Sequence, residues 1–188
     1  MERAVAMTGI GGQGIQLIAK LLAHAAMREG RQVMMFGTFM GTIRGGASES
    51  TVVVADREIV TPPIVPAIWG VIGLHPGGLA ALGRKIERGG VLLVNSSLVP
   101  APPDWPDVRR LGLPATEIAK AMGQVVGAGM IALGAFASAT GIVALDALDA
   151  ALGEVLPAHR RKLVETNRLC LARGAAEIAA TDGVAAWA

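Results

Sequence analysis

The sequence has a single cysteine, Cys170, and no tyrosine, and its aromatic residues are three Trp and three Phe. One thiol cannot close an internal disulfide, ligate an iron–sulfur cluster or complete a structural zinc site, since each needs several ligands. Charge is scarce as well, at 17% of residues against 52% hydrophobic, less than an ordinary soluble surface uses. Part of the apolar surface is therefore expected to face partner subunits. The net charge is only +2, which does not mark a nucleic-acid binder. The chain has no long uninterrupted apolar run. The stretch from Val125 to Leu145 is broken by Gly127, Gly129, Gly134, Ser138, Thr140 and Gly141, so it reads as a buried helix and a turn rather than a membrane span. The apolar start is too short for a secretory leader before glycines interrupt it. A reducing cytoplasm is the expected compartment.

What is present is an alternation of strand and helix signals over 188 residues, a length that suits one domain, 1–188. Arg3 to Thr8 predicts a buried strand that ends in glycines, and Ile15 to Arg28 repeats apolar residues at helical spacing up to Gly30. Gln32 to Phe36 then predicts a second strand, completing a unit that builds parallel sheets. Gly37 to Ser50 reads as a long loop, and Thr51 to Ala55 with Glu58 to Val60 as a hairpin. Trp69 to Leu74, Val91 to Asn95 and Val108 to Leu113 predict further strands, with a helix over Gly78 to Arg88. Helices are expected over Thr116 to Met122, Ala128 to Ala139, Val143 to Leu152, and from Pro157 to about Ala180. The basic run His159-Arg160-Arg161-Lys162 reads as a solvated face early in that last helix, where it opposes the helix dipole.

The chemistry-bearing segments are few. Gly9-Ile10-Gly11-Gly12-Gln13-Gly14 satisfies G-x-G-x-x-G between a strand and a helix, where bare backbone and free amides suit a phosphate. An NAD site would also place an acid at the end of the second strand, and none occurs from Gln32 to Ser48. The same glycines would also serve simply to pack helix against strand. Thr42-Ile43-Arg44-Gly45-Gly46 sets one guanidinium between bare backbone, suited to a phosphate, a carboxylate or carbonyl groups. It could equally brace its own loop. Asn95 ends a strand at the sheet edge where open α/β folds bind ligands. His24, His75 and His159 lack partners at metal-ligand spacing and read as ordinary surface or core histidines. No serine lies in a nucleophile elbow. The candidate binding residues are thus Gly11, Gly12, Gln13, Gly14, Arg44, Gly45, Gly46 and Asn95, with no catalytic residue and no metal ligand.

Several segments in this order resemble gamma subunits of 2-oxoacid:ferredoxin oxidoreductases. They are GIGGQG at 9–14, RGG at 44–46, TVVVADREIVTPPI at 51–64, VLLVNSSLV at 91–99, LPATEIAKAMG at 113–123 and MIALGAFASATGIV at 130–143. The chain departs from the family's pattern at Phe39-Met40-Gly41-Thr42 and at Ala128-Gly129-Met130. The resemblance implies a three-layer α/β/α sandwich with a mostly parallel, Rossmann-like sheet and a helical C-terminal portion. It also implies a role in a multi-subunit enzyme that oxidatively decarboxylates a 2-oxoacid (pyruvate, 2-oxoglutarate or 2-ketoisovalerate) to an acyl-CoA. Thiamine diphosphate and iron–sulfur clusters are then expected in the alpha, beta and ferredoxin-like delta partners, and the isolated chain is expected to be inactive. CoA is the ligand expected to approach the glycine and Arg44 loops, and isolated chains can pair through surfaces meant for partners. A freestanding nucleotide- or CoA-binding regulator is the alternative expectation, and an NAD(P)-dependent reductase a third.

Overall fold

The structure, a computed structural model, describes residues 1–39, 47–62, 65–178 and 186–187. Six strands form one sheet: β1 (Glu2–Ile10), β2 (Gln32–Phe39), β3 (Ala47–Ala55), β4 (Ile68–Gly73), β5 (Ile86–Asn95) and β6 (Arg109–Leu113), in the spatial order β2-β3-β1-β4-β5-β6. β1, β4, β5 and β6 pair in parallel. β3 is antiparallel to both β1 and β2, so β2 runs in the same direction as β1. The helices are α1 (Ile15–Arg28), α2 (Leu79–Leu82), α3 (Ala115–Ala121), α4 (Ala128–Thr140), α5 (Leu145–Val155) and α6 (Val164–Ile178), with a 3-10 segment at Ala158–Leu163. This is the expected α/β class with a mostly parallel sheet.

Three expectations need correction. The hairpin joins β2 to β3, with Gln32 opposite Ala55 and Phe39 opposite Ser48, and Glu58 to Val60 forms no strand. Glu2 on β1 holds that segment instead, accepting the amides of Val60 at 2.8 Å and Thr61 at 3.3 Å. Both strands run well into the stretch read as a loop, because backbone pairing tolerates the polar Ser48, Glu49 and Ser50 on β3. Gly37, opposite Ser50, leaves a gap that the Gln16 side chain fills. The helix expected over Gly78 to Arg88 shrinks to α2, and β5 begins at Ile86. Finally, the basic run lies in the 3-10 segment before α6 and is exposed throughout.

Side-chain alternation splits the core in two. On one face Val5, Met7, Val52, Val54, Leu93 and Leu111 pack against α1, α3, α4, α5 and α6. On the other, Ala6, Val53, Val71, Leu92 and Val94 are covered by α2 and by the connecting residues Ile59, Val65, Val99, Trp105 and Val108. The second layer is therefore thin. α4 lies inside the thick layer and is apolar on every side, with Ile131, Ala132, Leu133, Ala135 and Phe136 fully buried. Phe136 meets Trp69 edge-on at 6.1 Å and rests against Gly70, where a β-carbon would come within 2.6 Å of its Cζ. α4 and α6 approach backbone to backbone at two reciprocal points. A β-carbon on Gly134 would collide with the Leu171 carbonyl, and one on Gly174 with the Ile131 carbonyl.

The end of the chain folds back on its beginning. Ala186 donates its amide to Thr140 at 2.7 Å and accepts from Arg3 Nε at 2.7 Å. The Trp187 ring lies 3.7 Å from the Arg31 guanidinium, and its Nε1 donates to the Ile142 carbonyl.

Candidate functional site

The connectivity marks a candidate position before any side chain is considered. β1 hands the chain to α1 on the thick face, while its parallel neighbour β4 hands it to α2 on the thin face. Where two adjacent parallel strands diverge in this way, a crevice opens at their carboxyl ends, and open α/β sheets bind ligands there. The segments that follow these two strand ends are the glycine loop 10–14 and His75-Pro76-Gly77-Gly78.

The glycine loop is built for bare backbone. Gly12 and Gly14 have φ of 100° and 77°, a region L side chains rarely adopt, and nothing lies within 4 Å of where a β-carbon would sit on either. Gln13 ties the loop down. Its Oε1 accepts the Ile10 amide at 2.8 Å, its Nε2 donates to the Leu74 carbonyl at 3.3 Å, and its own amide bonds Ile10 O at 3.2 Å. Gly14 O accepts from Leu17 and Ile18 to begin α1. The amides of Gly11, Gly12, Gly14, Ile15 and Gln16 have no acceptor among the described residues. Those free donors at the start of a 14-residue helix favour an anion.

Asn95 is fully buried at the end of β5. Its Nδ2 donates to Thr116 Oγ1 at 2.8 Å and to Leu74 O at 3.4 Å, while its Oδ1 accepts the Thr116 amide at 3.2 Å. The side chain thus joins β5 to the start of α3 and to β4. Gln13 and Asn95 thus share the Leu74 carbonyl as an acceptor.

Arg44, Gly45 and Gly46 lie outside the described residues. The strand ends that lead to them are placed: Ala47 pairs with Ile10, the last residue of β1 before the glycine loop, and Gln16 Nε2 donates to Glu49 O at 3.2 Å. The base of the arginine loop therefore stands beside the glycine loop. β3 also separates β1 from β2, moving the end of β2 a further strand spacing, about 4.8 Å, from the place where an NAD ribose would need it.

Sequence reasoning missed His75 to Gly78. Thr8 Oγ1 donates to the Gly77 carbonyl at 3.3 Å, and Gly78, at φ 97°, leaves no room for a β-carbon against that hydroxyl. Gly77 donates its amide to His75 Nδ1 at 3.1 Å. The available signal was a second glycine pair directly after a strand, the same arrangement that singled out the first loop. Among the described residues no group of three or more His, Cys, Asp or Glu could hold a metal. Burial pushes the Cys170 thiol up, and Gly127 packs directly on its Sγ. No helix among the described residues is long and apolar enough to cross a membrane.

Known proteins agree with this architecture. The 2-oxoglutarate synthase subunit KorC of Methanocaldococcus jannaschii is 30% identical over 179 residues, which is 93% of this chain and 92% of KorC. The ketoisovalerate oxidoreductase subunit VorA of Methanothermobacter thermautotrophicus is 29% identical over 93% of this chain, which spans only 36% of VorA. The keto/oxoacid ferredoxin oxidoreductase gamma subunit from Geobacter sulfurreducens superposes with a TM-score of 0.81 at 28% identity, over 95% of this chain and 97% of that one. A Magnetococcus marinus 2-oxoglutarate:ferredoxin oxidoreductase, solved with 2-oxoglutarate, coenzyme A and succinyl-CoA bound, shares the fold over 97% of this chain and 32% of its own, with a TM-score of 0.83 at 21% identity. A freestanding regulator gains no support from these matches. Residues 4–177 match the pyruvate ferredoxin/flavodoxin oxidoreductase family, and the chain belongs to that family as a gamma-type subunit.

Proposed function

We propose that residues 1–188 act as one domain of a multi-subunit enzyme that oxidatively decarboxylates a 2-oxoacid to acyl-CoA, with ferredoxin receiving the two electrons. In this reading the chain supplies no reacting group. Its single cysteine cannot carry an iron–sulfur cluster, so clusters and thiamine diphosphate belong to alpha, beta and delta partners. The chain's own task is to hold CoA by its phosphates in the crevice between β1 and β4, at the meeting of subunits in a reducing cytoplasm. Arg44, Gly45 and Gly46 are the further residues assigned to contact CoA phosphates or the partner subunits.

The observation that carries this reading is the open space over Gly12 and Gly14 combined with five amides that lack an acceptor among the described residues. A CoA phosphate fits such a cradle, because its oxygens accept several backbone donors at once and carry the charge that a helix start favours. CoA supplies the thiol that takes the acyl group.

A charge placed in the cradle tests it. Gly12→Asp and Gly12→Asn have the same shape, and nothing lies within 4 Å of a β-carbon there, so their difference isolates one negative charge. In the complete enzyme Gly12→Asp is expected to raise the KM for CoA about tenfold over Gly12→Asn, about 1.4 kcal/mol, near the solvent-screened end of the repulsion between unit charges at short range. The KM for the 2-oxoacid should not move. Equal KM values for CoA in the two variants would remove CoA from this loop.

A further inference from the structure

We infer that β2 is a pairing edge, and that its occupant is the same strand of a second copy of this chain, laid antiparallel about a twofold axis. The inference stands apart from the CoA reading of the crevice. β2 ends the sheet and pairs with β3 alone among the described residues. The amides and carbonyls along its other side therefore meet no strand, which makes them a template for another chain.

Soluble proteins blunt such an edge with shortness, charge, proline or a bulge. The opposite end of this sheet uses the first two: β6 has five residues, among them Arg109 and Arg110. β2 uses none. It runs eight residues, QVMMFGTF, without a charge or a proline, and its register with β3 is unbroken from Gln32 to Phe39. Its apolar run Val33 to Phe36 is half-buried, whereas Ala4 to Met7 on β1 are buried. Val33 and Met35 pack on the thick layer and Met34 on the thin one, so apolar area is left uncovered on both faces.

Neutrality selects a second copy as the occupant. A twofold axis brings residues near its centre against their own duplicates, so a charge there would face its like. β2 meets itself at no such cost, whereas Arg109 and Arg110 oppose the same union at β6. The axis relating two antiparallel edges stands perpendicular to the sheet and keeps thick face beside thick face, so residues opposite one another must share parity. Overlaying the run Val33 to Phe36 on itself then centres the axis on Met34 or Met35, and two six-stranded sheets continue as one.

A charge swap at the axis tests this on the full chain. Met34→Lys and Met34→Glu each set like charges against one another across the pair, directly or on the diagonal, while their methylene stems keep contact with the thin layer. In sedimentation experiments the parent should dimerise as its concentration rises. Each variant alone should self-associate roughly tenfold more weakly or worse, and an equimolar mixture of the two should recover the parent's affinity. A parent that stays monomeric at every concentration sampled, a dimer that both variants leave intact, or a mixture as weak as either variant would overturn the pairing. If the variants fail to fold, hydrogen exchange of the unsubstituted chain decides. The amides of Gln32–Phe39 that point away from β3 should exchange more slowly as the chain is concentrated. Rates that ignore concentration would overturn the pairing, as would rates that fall only when alpha and beta subunits are added, which would give the edge to another polypeptide.

Discussion

Gln13 and Asn95 aim their side-chain amides at one oxygen, the carbonyl of Leu74, at 3.3 and 3.4 Å. Three parallel strands, β1, β4 and β5, are thereby cross-linked at their carboxyl ends through a single acceptor. Each bond is long and individually weak. Loss of either leaves the carbonyl with the other donor, and loss of both leaves it with neither. The double variant Gln13→Ala/Asn95→Ala should therefore cost more than the sum of the single variants, by about 1 kcal/mol. Urea unfolding of all four proteins measures this, and strict additivity would mean the amides act independently.

The α4–α6 crossing gives a sharper test of packing. Alanine at Gly174 gains about 1 kcal/mol of intrinsic helix preference but drives a β-carbon into the Ile131 carbonyl, a backbone atom that cannot rotate away. Gly174→Ala should destabilise the chain by about 3 kcal/mol, the upper end of overpacking costs. Gly153 in α5 has nothing within 4 Å, so Gly153→Ala should instead stabilise by up to about 1 kcal/mol. Thermal midpoints moving in the same direction for both would refute the close crossing.

Acid should loosen the segment after β3. The Thr61 hydroxyl, and after it the Val60 amide, hold the Glu2 carboxyl below its ordinary value. A carboxyl whose folded pKa is depressed contributes stability above its unfolded pKa, and that contribution disappears as the pH falls through the folded value. The stability gap between the parent and Glu2→Gln should be present at neutral pH and close as the solution is acidified through and below the carboxylate range. A gap independent of pH across that window would show that Glu2 acts by shape alone.

The β1–α1–β2 unit was readable because each element carries its own period: buried Ala4 to Met7, then Ile15, Ile18, Leu21, Leu22 and Ala25 on one helical face, then Gly30 at φ 75°. The extended ends of β2 and β3 were not readable. Gly37, Ser48 and Ser50 look like loop residues, and it is the pairing of β2 with β3 and of β3 with β1 that makes them strand. The helix after β4 was expected but drawn too long: it stops at Leu82, and β5 already begins at Ile86. In the site, the glycine loop announced itself through spacing. The convergence of Gln13 and Asn95 on Leu74 depends on strand order, which no local pattern encodes.

The Arg3–Ala186 bond joins two places far apart in the chain. Arg3 at the start of β1 and Ala186 are thereby tied together beside Thr140, whose carbonyl takes the Ala186 amide. The amino end of the central strand is thus clamped to the end of α4, so loosening residues 186–187 is felt in the buried helix as well as in the sheet.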